Sequence, residues 1–242
     1  MTGEILATRE LGEADRAAMC AVLDRHFACV TREQFERDLA DKHWAALMRD
    51  EHGVVCGFST LAVTETSFQG RRLRALYSGD TIVDRHHWGS PVLARTWLAF
   101  VRQLGHGSTV PLVWILICSG YRTYRILPVF FREFYPHHDR PTPAPVQALM
   151  HALARQRYGS AYQPDRGLVV LEHPTPLRED LLPVVGTRRD AHVEPFFRLD
   201  PGHERGDELV CYCPVDDQNF TPAGWRLVQS GLRMAGQRAA QR

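Results

Sequence analysis

The sequence predicts an α/β (α+β) chain, a sheet flanked by helices, and three stretches carry that prediction. Trp44 to Met48 and Val54 to Val63 are apolar runs on either side of the polar turn Asp50-Glu51-His52-Gly53, which is a hairpin signal. Val110 to Cys118 is almost continuously apolar, as in a strand covered on both faces. Between them, Leu73 to Val83 reads as a strand that runs through a polar loop with one glycine, Asp84 to Gly89, into a helix. Ser90 can cap that helix through its hydroxyl, and Pro91 fits the first helical position, where no backbone donor is needed. Leu93, Trp97, Val101 and Leu104 then recur along one helical face.

The other elements follow in chain order. Ile5 to Arg9 is a short β-like opening, and Glu13 to Phe27 places Ala17, Met19, Cys20, Leu23 and Phe27 in a helical pattern. A second helix starts at Thr31, whose capping box is completed by Gln34, and runs through Phe35 and Leu39. Tyr121 to Phe134 reads as a helix interrupted by Pro128. His137 to Pro145 is the clearest break, and Val146 to Tyr158 is helical again. Leu168 to Leu171 and Glu208 to Cys213 are strand candidates. The last helix has Thr221 as cap and Pro222 in its first position, and residues 233–242 read as a frayed tail.

Composition narrows the function. The chain has 242 residues, 44% hydrophobic and 24% charged, which is ordinary for a soluble globular protein. A net charge of +1 gives no global attraction to nucleic acid or an anionic membrane. Lys42 is the only lysine, so basicity rests on arginine, a pattern read here as genomic base composition. Met1-Thr2-Gly3-Glu4 has neither a basic start nor an apolar run, and the run Val110 to Cys118 is too short for a bilayer. The six cysteines lie among apolar neighbours and read as buried thiols of a cytoplasmic protein. Cys211-x-Cys213 lacks zinc-knuckle spacing, and His137-His138-Asp139 has no second ligand cluster, so no metal is expected. Ser119-Gly120 lacks the Gly-x-Ser-x-Gly elbow of an α/β-hydrolase, and Gly202 to Asp207 lacks phosphate-loop spacing.

A strand feeding a capped helix leaves backbone N–H groups near the positive end of the helix dipole, which suits an anion. The order strand, helix, helix, hairpin, strand, loop, helix, buried strand, helix resembles the GNAT superfamily of acyl-CoA N-acyltransferases. Ala7 to Asp15 looks like that family's first strand and helix start, Gly57 to Leu61 like its second and third strands, and Thr81 to Gly89 like its fourth strand and pyrophosphate loop. The resemblance covers residues 5–135 of one domain spanning 1–242 and implies a central mixed, twisted sheet. Residues 136–232 would then be an extension with a helical insertion and extra strands that complete the sheet. Two departures stand out. His86-His87-Trp88-Gly89-Ser90-Pro91 replaces the family's glycine loop, with Pro in its last slot, and Ser119-Gly120-Tyr121-Arg122-Thr123-Tyr124 replaces its Asn-then-Tyr signature.

The resemblance implies acyl transfer from acetyl-CoA or another acyl-CoA, as co-substrate, to the amine of a small molecule. It implies that the fourth and fifth strands splay around a pantetheine arm that pairs with the main chain of Ile82 and Val83. The N–H groups of Arg85, His86, His87, Trp88, Gly89 and Ser90 would surround the phosphates, with charge from Arg85, His86 or His87; alternatively these residues form a solvated loop. Tyr124, or else Tyr121, would protonate the leaving thiolate, unless Tyr124 is a packing residue. Asp80 is the candidate base, since an unpaired mid-strand carboxylate should face water, substrate or a partner such as Arg74. Glu65 is a further residue for the acceptor amine. The degenerate loop motivates a donor carried by an acyl carrier protein or an aminoacyl-tRNA, with Arg122, Arg125, Arg132 and Arg140 as a local basic surface. A non-catalytic binding protein of the same fold is the competing class, and a homodimer stays open.

Overall fold

In the computed structural model, which describes residues 1–181 and 193–239, the hairpin at Asp50–Gly53 lies inside an eight-stranded sheet. The strands are β1 (Thr2–Ala7), β2 (Trp44–Arg49), β3 (Val55–Phe68), β4 (Arg71–Val83), β5 (Leu112–Cys118), β6 (Tyr162–Gln163), β7 (Leu168–Val169) and β8 (Glu208–Pro214). Their order is β1-β2-β3-β4-β5-β8-β7-β6, and every neighbouring pair is antiparallel except β4 with β5. The expected mixed sheet with extra C-terminal strands is therefore present.

The helices are α1 (Glu13–His26), α2 (Arg32–Ala40), α3 (Val92–Gly105), α4 (Tyr121–Tyr124), α5 (Ile126–Phe130), α6 (Ala144–Tyr158), α7 (Val193–Leu199) and α8 (Pro222–Ala239). Strand alternation sorts them into two layers. Ala46, Met48, Leu76 and Cys211 face a core with Trp97 of α3 and Val228 of α8, where the Trp97 and Trp114 rings lie 4.4 Å apart. On the other face, Ala45 and Leu47 pack under Met19 and Phe35 of α1 and α2. Tyr77 and Tyr212 pack under Met150 and Leu153 of α6 on that same face. No helix among the described residues is long and apolar enough to cross a membrane.

Local chemistry explains most boundaries. Thr31 Oγ1 accepts the Gln34 N–H at 3.2 Å, and Thr221 Oγ1 accepts the Gly224 N–H at 3.0 Å, so both caps form, but the Gln34 side chain donates to His173 O rather than completing the capping box. Pro91 is the cap residue of α3 rather than its first helical residue, with the Ser90 hydroxyl 3.4 Å from the Val92 N–H. The helix expected over Tyr121–Phe134 is two short pieces that part at Arg125, before Pro128, and the chain is extended again by Phe131 and Tyr135, which bridge to Phe220 and Tyr212. α8 continues to Ala239, through most of the stretch read as a frayed tail, and residues 240–242 of that tail lie outside the described residues. Cys29 is exposed, unlike the buried thiols expected throughout, whereas Cys56, Cys118, Cys211 and Cys213 are buried.

Helices α3 and α8 meet at Gly231, where an added Cβ would lie 2.6 Å from Ala99 Cβ and 2.6 Å from Arg95 O. Backbone cannot yield as a flexible side chain does. Gly231→Ala is expected to cost about 1–3 kcal/mol, read as a lower urea midpoint; an unchanged midpoint would show that the two helices separate freely.

Candidate functional site

The parallel ladder of β4 and β5 ends at Ser78–Leu116. β4 continues to Val83 beside β3 only, while Ile117 and Cys118 of β5 pair with β8. The cause is a bulge. The β3–β4 register passes from Thr60–Gly79 to Phe58–Ile82, so Asp80 and Thr81 together oppose Ser59. An extra residue bends its strand and leaves its own main-chain groups out of the ladder. Asp80 takes φ +46°, a left-handed conformation that aspartate tolerates better than most residues. The bulge also breaks strand alternation: regular alternation places Ile82 on the face of Ser78 and Asp80, whereas Ile82 packs with Leu47 and Phe58 under α1 and α2.

Between the parted strands lies a cleft of about 530 Å³, lined by Asp80, Ile82 and Val83 on one side and by Ile117, Ser119 and Tyr121 on the other. Its floor is acidic. Glu208, the first residue of β8, lines it half-buried, and no hydrogen bond reaches its carboxylate among the described residues. Burial, and then the charges of Asp80 and Asp200, push the Glu208 carboxyl up to about 8. Asp38 of α2 also lines the floor, and burial followed by Asp80 raises its carboxyl. Asp80 Oδ2 and Gly79 O each lie 3.1 Å from the Thr60 hydroxyl, whose one proton they share. Lys42 is the counter-charge: its Nζ donates to Asp38 O at 3.2 Å. The pairing of Asp80 with Arg74 is not formed. Sequence reading missed Glu208, because only the placement of β8 beside β5 brings it to the cleft.

The loop before α3 differs from the expected phosphate cradle. Arg85–His87 is a 3₁₀ turn capped by Asp84, whose Oδ1 accepts the His86 N–H at 3.1 Å. His87 N donates to Asp84 O, Trp88 N to Arg85 O and Ser90 N to His87 O. Four of the six amides assigned to phosphate are thus already committed; the exceptions are Arg85 and Gly89. Burial opposes the charge on Asp84, but the His86 N–H and Arg25 outweigh it and hold the carboxyl below its usual range. The indole of Trp88, 40% exposed, donates from Nε1 to Val83 O at 2.8 Å, taking a main-chain acceptor assigned to the pantetheine arm. The Arg122 guanidinium stacks 3.7 Å from the Trp88 ring centroid, so a cation–π contact joins the two sides of the gap at its mouth. Arg85 is exposed and lies 3.6 Å from Asp180. His86 is exposed, and His87 lines the cleft.

The two candidate tyrosines separate. Tyr124 is fully buried among Phe134 and Phe196, and its hydroxyl donates to Pro136 O at 2.9 Å. Burial, and then Cys211 and Cys118, raise that phenol. It is a core residue, a correction to its assignment as acid. Tyr121 lines the cleft and its hydroxyl makes no hydrogen bond among the described residues. Glu65 pairs with Arg72 on the exposed end of the β3–β4 hairpin, away from the cleft. Of the expected arginine surface, Arg122 and Arg125 line the cleft; Arg132 donates to Phe220 O and Arg140 to Arg132 O elsewhere. His137, His138 and Asp139 bring ligand atoms within 4.8 Å of one another, also outside the cleft.

No family model matches the sequence, and no curated protein matches it. Solved structures with a similar arrangement include a conserved Enterococcus faecalis protein of unknown function, 15% identical over 55% of this chain and 33% of that one, TM-score 0.40. This chain thus spans about a third of the length of that relative. A GNAT family N-acetyltransferase from Escherichia coli in complex with CoA is 17% identical over 57% of this chain and 73% of its own, TM-score 0.40. Glucosamine-6-phosphate N-acetyltransferase from Arabidopsis thaliana is 18% identical over 52% and 89%, TM-score 0.38.

Proposed function

We propose that the chain is an N-acyltransferase that acts as one domain, moving an acyl group from a pantetheine thioester to the amine of a small molecule by direct attack. The observation that carries this reading is the gap between β4 and β5 opening onto Glu208, whose carboxyl is raised to about 8. Aminolysis of a thioester needs a neutral amine, a place for the oxyanion and a proton for the thiolate. Asp80 and Asp38 hold the incoming ammonium, and the Glu208 carboxylate takes one proton from it. The amine then attacks the thioester carbon, and the negative oxygen meets the main-chain groups freed by the Asp80–Thr81 bulge. The C–S bond breaks and the thiolate takes the Tyr121 proton. The surplus proton on the new amide nitrogen replaces it, and Glu208 returns its own to water.

The committed loop amides favour a second reading of the donor, in which the pantetheine arm is presented without a nucleotide, on an acyl carrier protein, or the acyl group arrives on a tRNA. Amide formation from each donor with a panel of amines tests both. Acetyl-pantetheine is expected to serve within about tenfold of acetyl-CoA, because the loop offers the nucleotide's phosphates little binding energy to spend. Acylation only from a loaded carrier or charged tRNA, with no melting shift under saturating CoA, selects the second reading. If no donor is consumed with any amine, the acyltransferase proposal falls and a binding protein of this fold remains.

A further inference from the structure

His26 lines the cleft at 2% exposure, yet the chemistry above makes no use of it. Its Nδ1 lies 2.9 Å from Val22 O, one helical turn back. A carbonyl oxygen only accepts, so Nδ1 carries the proton, and in the neutral ring Nε2 holds a lone pair. Nε2 is buried and meets no donor among the described residues. Nearby Asp84 is already held by Arg25, through Nε and Nη2, and by the His86 N–H. Leu23, Phe27, Val30 and Leu177 line the same cleft, and the Trp88 ring is centred 6.5 Å from the imidazole. A buried acceptor without a partner is costly, and a ligand that brings an O–H or N–H removes the penalty. A plain hydrocarbon filling the cleft here would leave it in place.

We infer that His26 sets the specificity of the cleft by accepting a hydrogen bond from a hydroxyl or N–H on an otherwise apolar chain, carried by the acyl group or by the amine. This rests on the acyltransfer reading, so binding and transfer are measured apart. Titration calorimetry without amine compares octanoyl- with 3-hydroxyoctanoyl-N-acetylcysteamine for the acyl source; octylamine and 8-aminooctan-2-ol, titrated without thioester, do the same for the amine. One hydroxylated partner is expected to bind about tenfold tighter or more. His26→Leu should erase that preference and spare the plain partner, while His26→Gln, which keeps an acceptor, should keep part of it. Equal binding within both pairs, or an equal loss on all four ligands in His26→Leu, would overturn the inference. Preference without acylation from any donor, free thioester, loaded carrier or charged tRNA, would uphold His26 and refute acyl transfer; acylation without preference would do the reverse.

Discussion

Glu208→Gln is expected to lower kcat about a hundredfold or more and to flatten its pH dependence. The sign follows from the raised carboxyl. Below about 8 the group is protonated and cannot take a proton from the acceptor, so wild-type turnover should climb as pH rises through about 8 and level off above it. The glutamine variant keeps the shape of the side chain but has no titrating group, and its profile should lose that limb. Asp80→Asn is the control for the cause: with one like charge removed, the limb should move to lower pH while the plateau changes less. A wild-type profile flat between pH 6 and 9, or an unaltered limb in Glu208→Gln, would remove Glu208 from the chemistry.

Tyr121→Phe is expected to reduce kcat about 10- to 100-fold with little change in KM for the thioester. Donors with good leaving groups, such as aryl thioesters, should feel it least, because their thiolates need no proton to depart. Tyr124→Phe should leave kcat alone. It removes the hydroxyl that serves Pro136 O, and leaving that part-buried carbonyl without its partner is expected to cost about 1 kcal/mol in unfolding free energy. Turnover loss confined to Tyr124→Phe would reverse the two assignments.

Both tyrosines stand in one short motif, which shows where sequence reading stops. The strands and the caps at Thr31 and Thr221 were legible because apolar runs and local hydroxyl-to-amide bonds are properties of neighbouring residues. Which tyrosine faces the cleft was not, because the helix expected there lasts a single turn and Tyr124 falls under α7. The bulge was equally hidden: Ser78 to Val83 alternates plausibly in either register, and only the pairing with Thr60 and Phe58 reveals the extra residue. Asp84 carried a readable signal, since aspartate favours turns closed onto the amide two residues on, and that signal competes directly with an anion-binding loop. Glu208 had none, being distant in the chain from Asp80 and adjacent to it only through the strand order.

The chain's single lysine sits beside that floor. Lys42 is the one side chain in this sequence that an amine-directed label can take, and its Nζ comes within 3.8 Å of where a side chain on Gly79 would begin. Trinitrobenzenesulfonate footprinting of the unaltered protein therefore reports on this corner of the molecule, and a ligand seated over the carboxylates would register as slower labelling of one peptide.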